Sequence, residues 1–320
     1  MKLVLFAALV LFTISAATVF AQDKNDVIKA YNEGAKASQT DVPAAIAAFE
    51  NVITLSDKVG ETAADLKQKA VNILPQLYYK LAKAALTDKK PAAEIIRAAK
   101  TSSANAAKLG NKAFKENSDN LLIQGYNLLA NEFFGKNDYA NALLVYDSVT
   151  MVNPAYSAAL YNKALIYAKQ NNADGFEKSI DGCLDVLKAK NDTNNIKQAS
   201  KMALEYFRAG GSKASQANKL DDAVNLLNKA AKYGEDKDLC YYFADVYNKQ
   251  KNFDKGAECA KKGLDMETGA PEAKAKFYFQ LATAQLGKGQ KEDACASFKN
   301  AMFGPFAEPS KVQRANLKCQ

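Results

Sequence analysis

The sequence predicts an all-α chain of stacked helix hairpins, and three observations carry that expectation. Between residues 126 and 154, YNLLANEFFGKNDYANALLVYDSVTMVNP, two amphipathic helix patterns are joined by Gly135, Lys136, Asn137 and Asp138. Tyr126, Leu129, Ala130 and Phe133 share one face of the first helix, and Ala142, Tyr146 and Val149 share one face of the second. Similar patterns recur along the chain, and few runs of β-branched residues read as strands.

The spacing has a physical cause. Small residues at Ala130 and Ala142 let two helices approach closely, while Tyr126, Phe133 and Tyr146 fill the gaps beside that contact. One such hairpin cannot bury its apolar faces alone and needs neighbours stacked against it. With its turn ending at Pro154, the segment resembles a tetratricopeptide repeat, a unit of roughly 34 residues that runs large residue, Leu-Gly, Tyr, Ala, Phe, Ala, Pro. Ala130 stands where that family usually has Gly, and Tyr126 where it often has Trp. The resemblance implies a right-handed superhelical solenoid of antiparallel hairpins, with about six to seven repeats and a C-terminal capping helix.

Taken in order, residues 1–21 read as an export signal: Lys2 supplies the charge, Leu3 to Ile14 the apolar run, and Val19-Phe20-Ala21 a cleavage site ending at Ala21. A retained membrane anchor is the competing reading, weakened by Thr13, Ser15 and Thr18. Residues 22–109 hold degenerate repeats. A first copy has Tyr31, Gly34, Ala45, Phe49 and Val52, and a helix with Pro75 at its centre, where a kink is expected, precedes one starting near Pro91. Residues 110–303 form the main array, with repeats near 120–154, 157–190, 194–234, 237–268 and 275–303. In the repeat near 194–234, Gly210 and Gly211 read as a break or flexible point. The last repeat carries Ala282, Ala294 and Phe298 at the family positions, and residues 304–320 read as a polar cap.

The chain has 43 basic and 35 acidic residues, a formal +8, but its charges are interspersed and Arg97, Arg208 and Arg314 are its only arginines. Bidentate phosphate recognition is poorly provided for, so nucleic acid is not an expected partner. Of the five cysteines, Cys183 and Cys240 fall at packed repeat positions. The favoured disulfide joins Cys295 to Cys319, a bridge that would pin the cap to the last repeat, although sequence does not supply sulfur geometry. No CxxC spacing appears.

The chain contains no histidine, which removes the commonest general base and transition-metal ligand together with every Ser-His or Cys-His nucleophile. No catalytic residue, cofactor or metal is expected, and Gly287 to Gly289 fits a helix turn better than a phosphate loop. The family resemblance implies that first helices line a concave groove, which nominates Asn127, Asn131, Tyr161, Asn162, Tyr241, Asp245 and Phe279 as partner-binding residues. Asn131 and Asn162 match two positions of a family carboxylate clamp, but Asn127 replaces its leading Lys. The expected function is a non-catalytic protein-interaction scaffold of the bacterial envelope, exported and periplasmic, without stable membrane insertion after cleavage. The rivals are a carbohydrate or cell-wall polymer binder using the aromatics, and an envelope hydrolase. In a eukaryotic secretory route, Asn191-Asp192-Thr193 would be a glycosylation acceptor.

Overall fold

The computed structural model describes residues 24–320; the expected export signal and its cleavage point lie outside them. The helices are α1 (24–37), α2 (Val42–Val59), α3 (Ala64–Thr87), α4 (Ala92–Lys108), α5 (Lys112–Gly135), α6 (Tyr139–Val152), α7 (Ser157–Lys169), α8 (Ala173–Ala189), α9 (Thr193–Gln216), α10 (Leu220–Ala231), α11 (Lys237–Lys249), α12 (Phe253–Met266), α13 (Pro271–Gly287), α14 (Lys291–Asn300) and α15 (Ala307–Asn316). Among the described residues there is no strand, and no helix is long and apolar enough to cross a membrane. The chain divides into two compact units, Met1–Ile166 and Tyr167–Gln320.

A recurring turn code sets the helix ends. Asn137, Asn171 and Asn191 adopt positive φ just past a helix, where the left-handed conformation lets the chain reverse and asparagine is tolerated better than most side chains. The next residue, Asp138, Asn172 or Asp192, then caps the following helix by accepting the backbone N–H of Asn141, Gly175 or Asn195. Gly289 plays the first part between α13 and α14, which places Gly287 to Gly289 at a helix turn.

In the first unit, Val27, Ala30, Ala45, Phe49, Leu74 and Leu77 pack into one core, with the Tyr31 ring edge-on to Phe49 at 5.4 Å. Helix α3 continues through Pro75, whose carbonyl accepts the Ser102 hydroxyl at 2.8 Å; Ser102 in turn lies 2.8 Å from the Ser118 hydroxyl, so buried hydrogen bonds link α3, α4 and α5. Helix α5 starts at Lys112, well ahead of the Tyr126 pattern. It packs on α6 through Ile123, Ala130, Ala142, Tyr146 and Val149.

In the second unit, α9 with α10, α11 with α12, and α13 with α14 form successive hairpins, and α15 packs against α14. The expected break at Gly210 and Gly211 is corrected: α9 is continuous from Thr193 to Gln216. Gly211 is there for close approach, since a Cβ at that position would lie 2.7 Å from Leu227 and 3.2 Å from the Ala223 carbonyl. Gly210 has only ordinary contacts, the nearest at 3.5 Å to Leu226. Gly210→Ala should therefore stabilise the second unit by about 0.5–1 kcal/mol through helix propensity alone. Gly211→Ala should destabilise it by about 1–3 kcal/mol, because the methyl forces Leu227 and the facing backbone apart. Urea unfolding of the two variants checks the pair; equal shifts would remove the close-approach explanation.

Candidate interaction face

Helix α11 lies between α9 and α13 in the second unit, so the first helices of three successive hairpins stand side by side. Opposite charges bridge them. From α9, Arg208 pairs with Asp236 and, at 3.9 Å, with Asp238; from α13, Lys276 meets Asp238 at 2.5 Å. The Lys276 ammonium also sits 5.5 Å from the centre of the half-buried Tyr241 ring, a cation–π arrangement. One turn along α11, Asp245 accepts from Ser215 and Lys249, each at 2.7 Å, and Gln280 of α13 approaches its other oxygen at 3.4 Å. Deeper, Asn248 donates to the Gln280 backbone and side-chain oxygens, both at 2.9 Å.

These neighbours set the electrostatics. Burial pushes the Tyr241 hydroxyl up, the Asp245 charge adds to that, and a hydrogen bond with Gln280 partly opposes it. Burial pulls Asp238 the same way, but Lys276 and Arg208 outweigh it and hold its carboxyl below the usual range. The carboxylate of Glu267 is held low by Lys237, 2.8 Å away, and by the Gly269 N–H. Elsewhere in the unit, burial raises Glu177 while Lys229 and Lys232 bring it down to a net lowered value. A carboxyl whose folded pKa lies below its unfolded value contributes stability above the ordinary carboxylate range and loses it as pH falls through the folded value. The thermal stability of the second unit should thus fall from about pH 5 downward, the range in which acidic groups begin to protonate. Asp238→Asn should flatten part of that fall, and an unchanged pH profile would show that the pairing is not felt.

The structure sorts the residues nominated from sequence. Tyr241 and Asp245 lie on this face, though Asp245 is already engaged by Ser215 and Lys249. In the first unit, Asn131 accepts from the Tyr146 hydroxyl at 3.3 Å and Asn162 donates to it at 3.0 Å; Asn127 donates to the Tyr156 hydroxyl at 3.0 Å. These amides tie neighbouring helices together, and the half-buried Tyr161 lies on α7 near Asn162. Phe279, half-buried on α13, has its ring 5.7 Å from Phe298 and 5.4 Å from Phe306.

Sequence reasoning missed Arg208, Ser215, Asp238, Lys276 and Gln280. Each bridges helices about one repeat apart, as in the 30-residue separation of Ser215 from Asp245 and the 38 of Asp238 from Lys276. Complementary polar residues at one repeat period were the available signal.

The positions that define the hairpins are packed as their spacing requires. Ala130, Ala142, Ala282 and Ala294 are fully buried where helices touch, Tyr146 and Phe298 are almost fully so, Tyr126 and Phe133 are half-buried beside them, and Pro154 sits exposed in the turn after α6. The packing is tetratricopeptide-like. No known family model matches the sequence, and no curated protein matches it. Among solved structures, the chain is similar to a MamA protein at 18% identity, covering 62% of this chain and 96% of that one with a TM-score of 0.36. It is also similar to a thermophilic TPR protein of Thermus thermophilus at 20% identity, covering 62% and 100% with a TM-score of 0.29. A third likeness is to a tetratricopeptide repeat protein of Parabacteroides merdae at 16% identity, covering 93% and 99% with a TM-score of 0.30.

Proposed function

We propose that the chain is a non-catalytic scaffold that binds a partner polypeptide on the α9–α11–α13 face, and that it works in the bacterial cell envelope. The observation that carries the binding reading is Tyr241, a half-buried aromatic of α11 with the Lys276 ammonium of the next hairpin over its ring and the Asp245 charge beside it. An aromatic anchor surrounded by charges that can exchange partners is the composition of a protein-binding surface. The lack of histidine argues against the hydrolase.

Envelope location is supported by the signal-like residues 1–21 and by the Cys295–Cys319 bridge, a bond that persists in oxidising compartments. Mature protein beginning at Gln22 should be recovered from the periplasm, and chain retaining Met1 in the cytosol would overturn that part. For binding, a photo-crosslinking phenylalanine analogue at position 241 should give a defined polypeptide adduct in cells. Lys276→Glu should cut its yield about tenfold, as expected for loss of a charge beside an anchor. Glycan-array binding without any polypeptide adduct would favour the carbohydrate reading instead.

A further inference from the structure

In the second unit, α14, α15 and residues 318–320 line a half-open cavity of about 540 Å³ that shares no residue with the face described above. Its wall includes the Cys295–Cys319 bridge, with Cα atoms 5.6 Å apart. Arg314 braces the floor, donating to the Cys295 carbonyl at 2.5 Å and to the Gln320 carbonyl oxygen at 2.9 Å. Around the rim stand Lys291, Lys299 and Lys318, all exposed, against the side-chain carboxylate of Glu292, while the chain-terminal oxygen of Gln320 is taken by Arg314. The nearby ion pairs, Lys288 with Asp254 and Lys311 with Glu308, draw on none of these three lysines.

From this geometry we infer that the cavity is a binding site for an acidic peptide segment, and that the disulfide builds it. The volume is within the usual range for ligand sites, and the uncompensated charge at its rim is positive. Lys291 and Lys299 are eight positions apart, roughly 12 Å along a helix. That span is too long for one compact phosphate and suits carboxylates spread along an extended chain. Glu292 can accept a backbone N–H from a peptide, a donor that a phosphodiester backbone lacks. The bridge holds Lys318 opposite α14, so breaking it releases one side of the rim.

The test uses the full mature chain and a fluorescein-labelled octaglutamate peptide, followed by anisotropy at low salt, with octaglutamine and inorganic pyrophosphate as comparison probes. Octaglutamate should bind the oxidised protein, and Lys291→Gln, Lys299→Gln and Lys318→Gln together should weaken binding about tenfold, as expected for loss of three weakly screened charge pairs. Replacing the exposed Lys80, Lys83 and Lys100 by Gln removes the same charge from the first unit and should leave binding within about twofold, since none of these residues lines the cavity. Reduction of the bridge should weaken binding as the rim substitutions do. Equal loss in the two triple variants would reduce the effect to general attraction by a basic protein. Competition by pyrophosphate as strong as by unlabelled octaglutamate, or no octaglutamate binding at all, would overturn the site.

Discussion

Truncating Phe277 to alanine is expected to lower the stability of the second unit by about 3–5 kcal/mol, the range for emptying a fully buried phenylalanine site. The ring is 0% exposed. It lies so close to the backbone of α12 that a Cβ on Gly263 would fall 2.3 Å from it, and it meets Tyr241 edge-on at 6.2 Å between centres. No flexible side chain stands at Gly263 to collapse into the space, so the cavity term should be close to its maximum. Phe277→Leu should recover a large share by refilling volume, whereas Gly263→Ala should itself destabilise by driving a methyl into the ring. Because α12 and α13 belong to consecutive hairpins, the loss should appear as earlier unfolding of the second unit in urea, with the first unit less affected. A cost below about 1 kcal/mol for Phe277→Ala, the level of a surface substitution, would mean that this inter-hairpin joint does not hold the unit together.

Phe277 also shows what could be read in the residues and what could not. Repeat register located the helices and the alanines inside each hairpin, because a 3.6-residue period and a small residue at a crossing leave local marks. It nominated Phe279 for the groove and did not single out Phe277 as core, since both lie on α13 and only the place of Gly263, fourteen residues earlier, shows that the Phe277 ring is buried. The same limit applied to Gly211, where two adjacent glycines look like a break until Leu227 is seen against one of them. The polar face was less legible still. Arg208, Asp238 and Lys276 are ordinary surface charges in any local window, and they become a network only when stacking brings positions one repeat apart into contact. Asn127, Asn131 and Asn162 could be placed on helices, whereas their bonds to the hydroxyls of Tyr156 and Tyr146 depend on how the helices stack.

Removing the Cys295–Cys319 bridge should cost about 3–4 kcal/mol in the chain-entropy account, given the separation of 24 residues between the two sulfurs' parent positions. The loss should be local. Helix α15 is short and largely polar, with Ser310 as its buried residue, and its hold on the last repeat comes from the bridge, the Arg314 bonds to Cys295 and Gln320, and contact with α14. With both cysteines changed to serine, amide exchange in α15 should accelerate strongly while that of α9 and α11 stays near its original rate, because a terminal element can open without its neighbours. Cys183 and Cys259 do not offer a substitute partner in the folded chain, since burial pushes both thiols up to about 11 and leaves little thiolate near neutrality. Alkylation of unreduced, denatured protein should accordingly mark Cys183, Cys240 and Cys259 and spare the bridged pair. Labelling of Cys295 and Cys319 under those conditions, or unchanged exchange in α15 of the serine variant, would show that the cap is held by packing alone.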